Sequence, residues 1–167
     1  MISQKVIYLL FVFNKIKIPK KQEIKLDQLT QLRFDQKFDI FYKFRFHNDY
    51  LRVNIDQKKI SKKKSKEWFR VNHKERKIFA IKLNNKIIGL IIYNINNFFY
   101  SIIVLKKYRN KGIGAIALVK FVAILKKKKI KLVTMVKKSN KNSVYLHKKL
   151  FKDYKSINKN FFYFKLL

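Results

Sequence analysis

The chain has 167 residues, 48% of them apolar and 16% aromatic, which excludes a disordered polypeptide and fits one domain with a substantial core. Its 42 Lys and Arg against 9 Asp and Glu give a formal net charge of +33, a balance that points by itself to nucleic acid, an anionic membrane or an anionic ligand. With no Cys there is no disulfide framework, no thiolate nucleophile and no Cys-based metal site, and the dispersed His47, His73 and His147 offer no metal-ligand spacing.

Val6 to Phe13 is an apolar run between Lys5 and Lys15, too short to span a bilayer and followed by no small-residue cleavage site. Residues 1–20 therefore read as an N-terminal extension, an extra strand or short helix, with a peripheral membrane foot as the alternative, and residues 21–167 as a single domain. Ile24, Leu26 and Leu29 in Glu23 to Thr30 predict a first strand. Asp35 to Phe46 places Phe38, Phe41, Tyr42 and Arg45 on one helical face, with Asp35 as the N-cap. His47-Asn48-Asp49 breaks that pattern, and Ser61 to Val71 predicts a second helix with Trp68 and Phe69 inward. Lys77 to Leu83 and Ile87 to Tyr93 form a hairpin around Asn84-Asn85-Lys86, with Gly89 marking a bulge or a close backbone approach. Phe98 to Leu105 adds a third strand to the meander. Ile113 to Leu125 is apolar nearly all round apart from Lys120, the pattern of a helix sandwiched within the fold, and Lys126 to Lys129 follow where the helix dipole favours cations. Ile130 to Val136 is the next strand, Ser139-Asn140 cap a helix to about Leu150, and Tyr154 to Ile157 with Phe161 to Phe164 form a closing hairpin.

The chain contains three glycines, and two of them fall in Arg109-Asn110-Lys111-Gly112-Ile113-Gly114, between the strand ending at Leu105 and the apolar helix. Strand, glycine turn and helix in that order aim backbone N–H groups and the positive helix end at one place, an anion cradle suited to a pyrophosphate. The competing reading is a glycine turn that lets a helix pack closely on a sheet.

This motif and element order resemble the GNAT superfamily of acyl-CoA N-acyltransferases, whose signature Arg/Gln-x-x-Gly-x-Gly/Ala is matched by Arg109, Gly112 and Gly114. A second block, Val136 through Asn140, Ser143, Leu146, His147 and Lys149-Leu150, is similar to the family's Asn-x-x-Ala/Ser-x-x-Leu-Tyr/His-x-Lys-Leu pattern, and Gly89 falls where such proteins commonly keep a glycine. The resemblance implies an α/β (α+β) fold, a mixed central sheet of about six to seven strands with helices on both faces. It implies acetyl-CoA as co-substrate and no metal. Backbone N–H groups of Lys111, Gly112, Ile113, Gly114 and Ala115 would surround the pyrophosphate, in a turn begun by Arg109 and Asn110. Ile102, Ile103 and Val104 would pair with the pantetheine arm as a pseudo-strand, Asn140 would touch that arm from the other side, and Ser143 would line the same cleft. His147 stands where Tyr is commonest in the family and is expected to return a proton to the leaving thiolate, with a packed histidine as the alternative. No carboxylate lies in Phe98 to Val104, where many relatives keep Glu, so the base stays open among a water chain, Glu67 and His147.

Arg45-Phe46-His47-Asn48-Asp49 with Arg52, and Ser65-Lys66-Glu67-Trp68-Phe69, resemble segments of the sugar-nucleotide amino-sugar and ribosomal-protein N-terminal acetyltransferases. Within that group the resemblance favours enzymes of the nonulosonic (pseudaminic) acid pathway, which acetylate the 4-amino group of a UDP-linked sugar for surface glycans. Asn48 and Trp68 would then touch substrate, or else cap a helix and pack in the core. The alternatives are a ribosomal-protein or protein N-terminal acetyltransferase, whose docking on RNA-rich particles the charge would help, and a non-enzymatic basic nucleic-acid-binding protein. The last has no RNP-like aromatic motif, zinc knuckle or clustered basic helix to support it. The lysines are spread through every segment and accompany other residue types with AT-rich codons, so compositional drift is a second source of the charge. A cytoplasmic location is expected.

Overall fold

The computed structural model describes residues 23–46, 60–126, 131–151 and 153–166. Val6 to Phe13, the Lys127 to Lys129 run and the segment with His47, Asn48, Asp49 and Arg52 lie outside the described residues. In chain order the elements are β1 (Ile24–Gln28), α1 (Phe34–Arg45), α2 (Lys62–Asn72), β2 (Arg76–Leu83), β3 (Lys86–Asn94), β4 (Tyr100–Val104), α3 (Ile113–Lys126), β5 (Leu132–Lys137), α4 (Lys141–Leu150), β6 (Asp153–Ser156) and β7 (Phe161–Leu166).

Strands β1 to β4 form an antiparallel meander in that order, and β5, β7 and β6 form a second sheet with β7 between the other two. The hairpin between β2 and β3 turns at Asn84 and Asn85, whose φ values of 48° and 63° match the two left-handed positions of a tight hairpin turn. Both expectations for Gly89 hold. The register shifts between Ile81 and Lys82 opposite it, and a Cβ at Gly89 would collide with the Ile103 carbonyl oxygen while lying 3.0 Å from Ile81 Cδ1.

Side chains alternate across the meander. Ile78, Ala80, Leu90, Ile92 and Ile103 point to one face and bury with Phe38, Phe41 and Phe44 of α1 and Phe69 of α2. Phe79, Ile91, Tyr93 and Tyr100 point to the other and bury with Leu118 and Phe121 of α3 and Leu150 at the end of α4. Each such buried ring contributes roughly 2–3 kcal/mol. Helices α1 and α2 thus cover one face and α3 and α4 the other, as expected. Lys120 fits in the apolar α3 because its Nζ reaches the Ile24 carbonyl at 2.6 Å.

Three local expectations are corrected. Phe44 joins Phe38 and Phe41 on the inner face of α1, while Tyr42 and Arg45 are half-buried. Asp35 lies inside the first turn of α1 instead of capping it: Arg33 holds the cap position, with its N–H donating to Gln36 Oε1 at 3.0 Å, and Asp35 pairs with Lys66 of α2 at 2.7 Å. Phe69 is fully buried but Trp68 is 44% exposed, because successive helical residues lie roughly 100° apart and only one of the two can face the sheet.

Candidate functional site

The sequence suggests one sheet closed by its final hairpin; the structure parts it between β4 and β5. The two strands touch at a single parallel bridge, Phe99 with Val133, where the Val133 N–H donates to the Phe98 carbonyl at 3.0 Å. One step further on, the Thr134 hydroxyl donates to the Tyr100 carbonyl at 2.9 Å. Beyond that the ladder stops, and a cleft of about 320 Å³ opens between the strands. Alternation in β4 decides which backbone groups face it. Asn94 N–H donates to Phe99 O, and Leu105 N–H to Ile88 O, so odd-numbered residues of β4 bond to β3 and even-numbered ones turn the other way. The Val104 carbonyl is taken by Arg109 Nε at 2.7 Å. The amide groups of Ile102 and the Val104 N–H remain on the open edge, whereas Ile103 belongs to the β3 ladder and to the α1/α2 core.

Past β4 the chain enters the glycine turn. Asn110 and Gly112 adopt φ values of 61° and 72°, a conformation that Asn tolerates and that a β-branched residue at Gly112 would strain. Helix α3 starts at Ile113 and is tied to the turn by the Ile116 N–H, which donates to Gly112 O at 3.0 Å. The N–H groups of Ile113, Gly114 and Ala115 precede the helical ladder and have no acceptor within it. A Cβ added to Gly114 would meet only Val104 Cγ2, at 3.8 Å, an ordinary contact. Close helix packing therefore does not require glycine at 114. The α4 side closes the cradle, with Asn142 Nδ2 donating to Asn110 Oδ1 at 3.0 Å. Asn140 caps α4 by accepting the Ser143 N–H at 3.3 Å, which leaves its amide N–H groups for the cleft it lines.

His147 is one turn along from Ser143 and 1% exposed. Its Nδ1 lies 2.6 Å from the Ser143 carbonyl and 3.3 Å from the Ser143 hydroxyl, so Nδ1 carries the proton and donates to the carbonyl. Nε2 is then a lone-pair acceptor, buried and without a partner. Burial lowers the pKa to about 4, so the ring is neutral near pH 7 and is not a charged acid there. Tyr100 stacks on it at 6.0 Å between centroids, and its hydroxyl is likewise buried and unpartnered. Burial raises the Tyr100 pKa well above its ordinary value, which keeps the phenol protonated.

The cleft passes through the sheet. On the α3/α4 face it is lined by Asn140, Ser143 and His147; on the α1/α2 face it is lined by Arg45, Arg76, Asn94, Ser101 and Lys137. No Asp or Glu among the described residues lines either end, and Glu67 lies exposed on α2 outside it. Of the residues expected from sequence, Ile102, Asn140, Ser143 and His147 line one cleft, and Arg109 to Ala115 form the turn beside it. Asn48 lies outside the described residues, and Trp68 touches the cleft only through Arg76, whose guanidinium carbon sits 4.5 Å from its ring centroid. Sequence reasoning passed over Tyr100, Thr134, Arg76 and Asn142. Each acts across elements distant in the chain, and only the alternation of β4 could have singled out Tyr100. Among the described residues no group of His, Cys, Asp and Glu could hold a metal ion, and no helix is long and apolar enough to cross a membrane.

Comparison with known proteins bears on this arrangement. The profile of the acetyltransferase (GNAT) family matches residues 35–151. A search of the curated proteins finds no match. Among solved structures, a domain from Methanocaldococcus jannaschii is 19% identical with a TM-score of 0.73, covering 87% of this chain and 99% of that one. Ribosomal-protein-alanine N-acetyltransferase from Brucella melitensis is 12% identical with a TM-score of 0.64, covering 86% and 99%. Campylobacter jejuni N-acetyltransferase PseH, in complex with acetyl coenzyme A, is 21% identical with a TM-score of 0.57, covering 86% and 98%. The matched span runs from the first helix through the glycine turn to the residue after α4 and takes in more than half of the chain, which belongs to the acetyltransferase (GNAT) family.

Proposed function

We propose that this acetyl-CoA-dependent N-acetyltransferase acetylates the amino group of a nucleotide-linked amino sugar, in surface-glycan or nonulosonic acid biosynthesis and in the cytoplasm. The observation that supports this best is the cleft itself: it opens between the parted strands, beside the glycine turn, and holds a cationic chamber on its α1/α2 side, so that a donor and an acceptor can meet from opposite sides. The backbone N–H groups of Lys111 to Ala115 bind the pyrophosphate of acetyl-CoA. Its pantetheine arm bonds to the open edge of β4 at Ile102 and Val104, opposite Asn140 and Ser143. At the meeting point the neutral amine attacks the thioester carbonyl, a C–N bond forms, the C–S bond breaks, one proton leaves the amine and one returns to the thiolate.

His147 handles a proton at that end of the cleft, and the neutral ring with an open Nε2 favours a role as acceptor over the acid role expected from the sequence. The acceptor class draws on the likeness of the Ser65 to Phe69 segment to the group of amino-sugar and ribosomal-protein N-terminal acetyltransferases, within which the amino-sugar enzymes are preferred. A panel of UDP-linked amino sugars and of N-terminal peptides, read by release of the CoA thiol, tests it. Turnover selective for the sugars is expected, and turnover of the peptides alone would reject it. The second reading, a ribosomal-protein or protein N-terminal acetyltransferase, draws on the likeness to the Brucella melitensis enzyme and on the net charge of +33.

A further inference from the structure

We propose that the α1/α2 side of the cleft contains a phosphate subsite for the acceptor, with Arg76 binding the phosphate, Lys137 assisting and Trp68 acting as the positioning residue that fixes Arg76. The inference rests on the acetyltransferase reading above and adds to it the residues that would select the acceptor.

Arg76 is the first residue of β2 and shares the parity of Ile78 and Ala80, so its side chain lies on the α1/α2 face, where it lines the cleft. Its position is fixed from two directions. Nη1 donates to the Asn72 carbonyl at 2.8 Å, and the guanidinium lies 4.5 Å from the Trp68 ring centroid. Trp68 is itself stacked against Phe41, with centroids 6.0 Å apart and planes 18° apart. An exposed tryptophan is otherwise a poor use of the outer face of α2; here it bridges the α1 core to Arg76. One N–H of five is committed to Asn72, and the remaining fork is suited to a phosphate.

The charge environment points the same way. Arg76 is half-buried and desolvation depresses its pKa, opposed by the neighbouring Glu75 carboxylate, which attracts it without forming an ion pair; no carboxylate among the described residues forms one. A guanidinium partly withdrawn from water and held by no ion pair is costly, and a bound anion reduces that cost. Lys137 of β5 brings a second cation to the same chamber. A phosphate or pyrophosphate is the ligand such a chamber selects, and like-charge repulsion disfavours polyamine acceptors.

The test titrates UDP into protein saturated with CoA, so that the helix cradle is already filled and only the acceptor side is open. Wild-type protein should bind UDP in this state. Arg76→Gln should bind it about 10- to 100-fold more weakly with acetyl-CoA affinity unchanged. Trp68→Leu should weaken UDP by a smaller factor while acetyl-CoA affinity and melting temperature hold, a pattern that loss of packing alone would not produce. Absence of UDP binding to the CoA-saturated wild type, or equal affinity in Arg76→Gln, overturns the subsite. Should Arg76→Gln lose acetyl-CoA affinity as well, Arg76→Lys replaces it: weaker UDP binding with intact acetyl-CoA binding supports the subsite, and unchanged UDP binding overturns it. Failure of the wild type to bind acetyl-CoA would count against the acetyltransferase reading, separately from the UDP result.

Discussion

The two ends of the cleft offer different kinds of polar group. The α3/α4 end presents backbone: the N–H groups of Ile113, Gly114 and Ala115 and the open edge of β4 at Ile102 and Val104. The α1/α2 end presents side chains, Arg45 from α1, Arg76 from β2, Asn94 from β3 and Lys137 from β5. Backbone recognition depends on conformation and survives wide changes of side chain, provided that glycine stays where φ demands it. Side-chain recognition depends on several elements keeping register and can be retuned one residue at a time. On the function proposed above, the donor end is conformationally fixed and the acceptor end adjustable, a division that suits one donor and different amines.

The strongest way to break this comparison is at Gly112. Valine at a φ of 72° costs roughly 1–3 kcal/mol of strain and turns the N–H groups out of alignment. Acetyl-CoA affinity should fall by more than about 100-fold, since at least two charge-assisted bonds of about 1.5 kcal/mol or more are lost. A calorimetric titration measures this, and retained affinity would mean the turn is not the donor site. Next in size is His147→Phe, which keeps the aromatic stack with Tyr100 and Phe151 and removes the unpartnered Nε2. Turnover should drop about 100-fold with acetyl-CoA affinity unchanged; an unchanged rate would reduce His147 to a packing residue.

The same contrast governs what could be read from the sequence. The glycine turn and the α4 face beside the cleft were legible because they are written in consecutive or helically spaced residues: Arg109 to Gly114 held two of the three glycines, and Asn140, Ser143 and His147 followed at helical spacing. The acceptor end was not, because Arg76, Asn94 and Lys137 come together only through the pairing of β2 with β3 and the parting of β4 from β5. The meander, the positions of the helices and the closing hairpin were legible from periodicity, whereas the inner faces of α1 and α2 were legible only in part. The split into two sheets was not, since nothing in Ile130 to Val136 says that a strand pairs with Phe161 to Leu166 and meets its other neighbour at one residue. Trp68 was misplaced for a related reason: an aromatic pair on a helix does not say which member faces inward.

His147 also sharpens the comparison through pH. Its pKa is about 4 in the folded protein against 6.5 for the free side chain. Between those values the unfolded chain binds more protons, so this residue's contribution to stability is fully present above 6.5 and is lost as pH falls toward 4. The full difference is roughly 3 kcal/mol. Facing the ring are the neutral Tyr100 and the apolar Phe151 and Phe164, and burial outweighs the hydrogen bond to the Ser143 carbonyl, which acts in the opposite direction. Urea midpoints at pH 4.5 and 7 should therefore differ more for the wild type than for His147→Phe. The rate profile should show no histidine limb near 6.5; such a limb would mean that the ring is solvated and not held neutral by burial.

The smallest expected effect separates a glycine that packing requires from one that can be replaced. At Gly89 an added methyl meets the Ile103 carbonyl oxygen, so Gly89→Ala should destabilise by about 1–3 kcal/mol while leaving acetyl-CoA affinity alone once folded. At Gly114 the added methyl meets only Val104 Cγ2, at 3.8 Å, and alanine is the better helix former by up to about 1 kcal/mol. Gly114→Ala should thus be as stable as the wild type or slightly more so, with acetyl-CoA affinity close to the wild type, because the family signature admits Ala at this position. Gly112, at a φ of 72°, should tolerate no such change, so the two glycines of one turn separate by conformation. A loss of stability in Gly114→Ala would instead make Gly114 a packing device like Gly89.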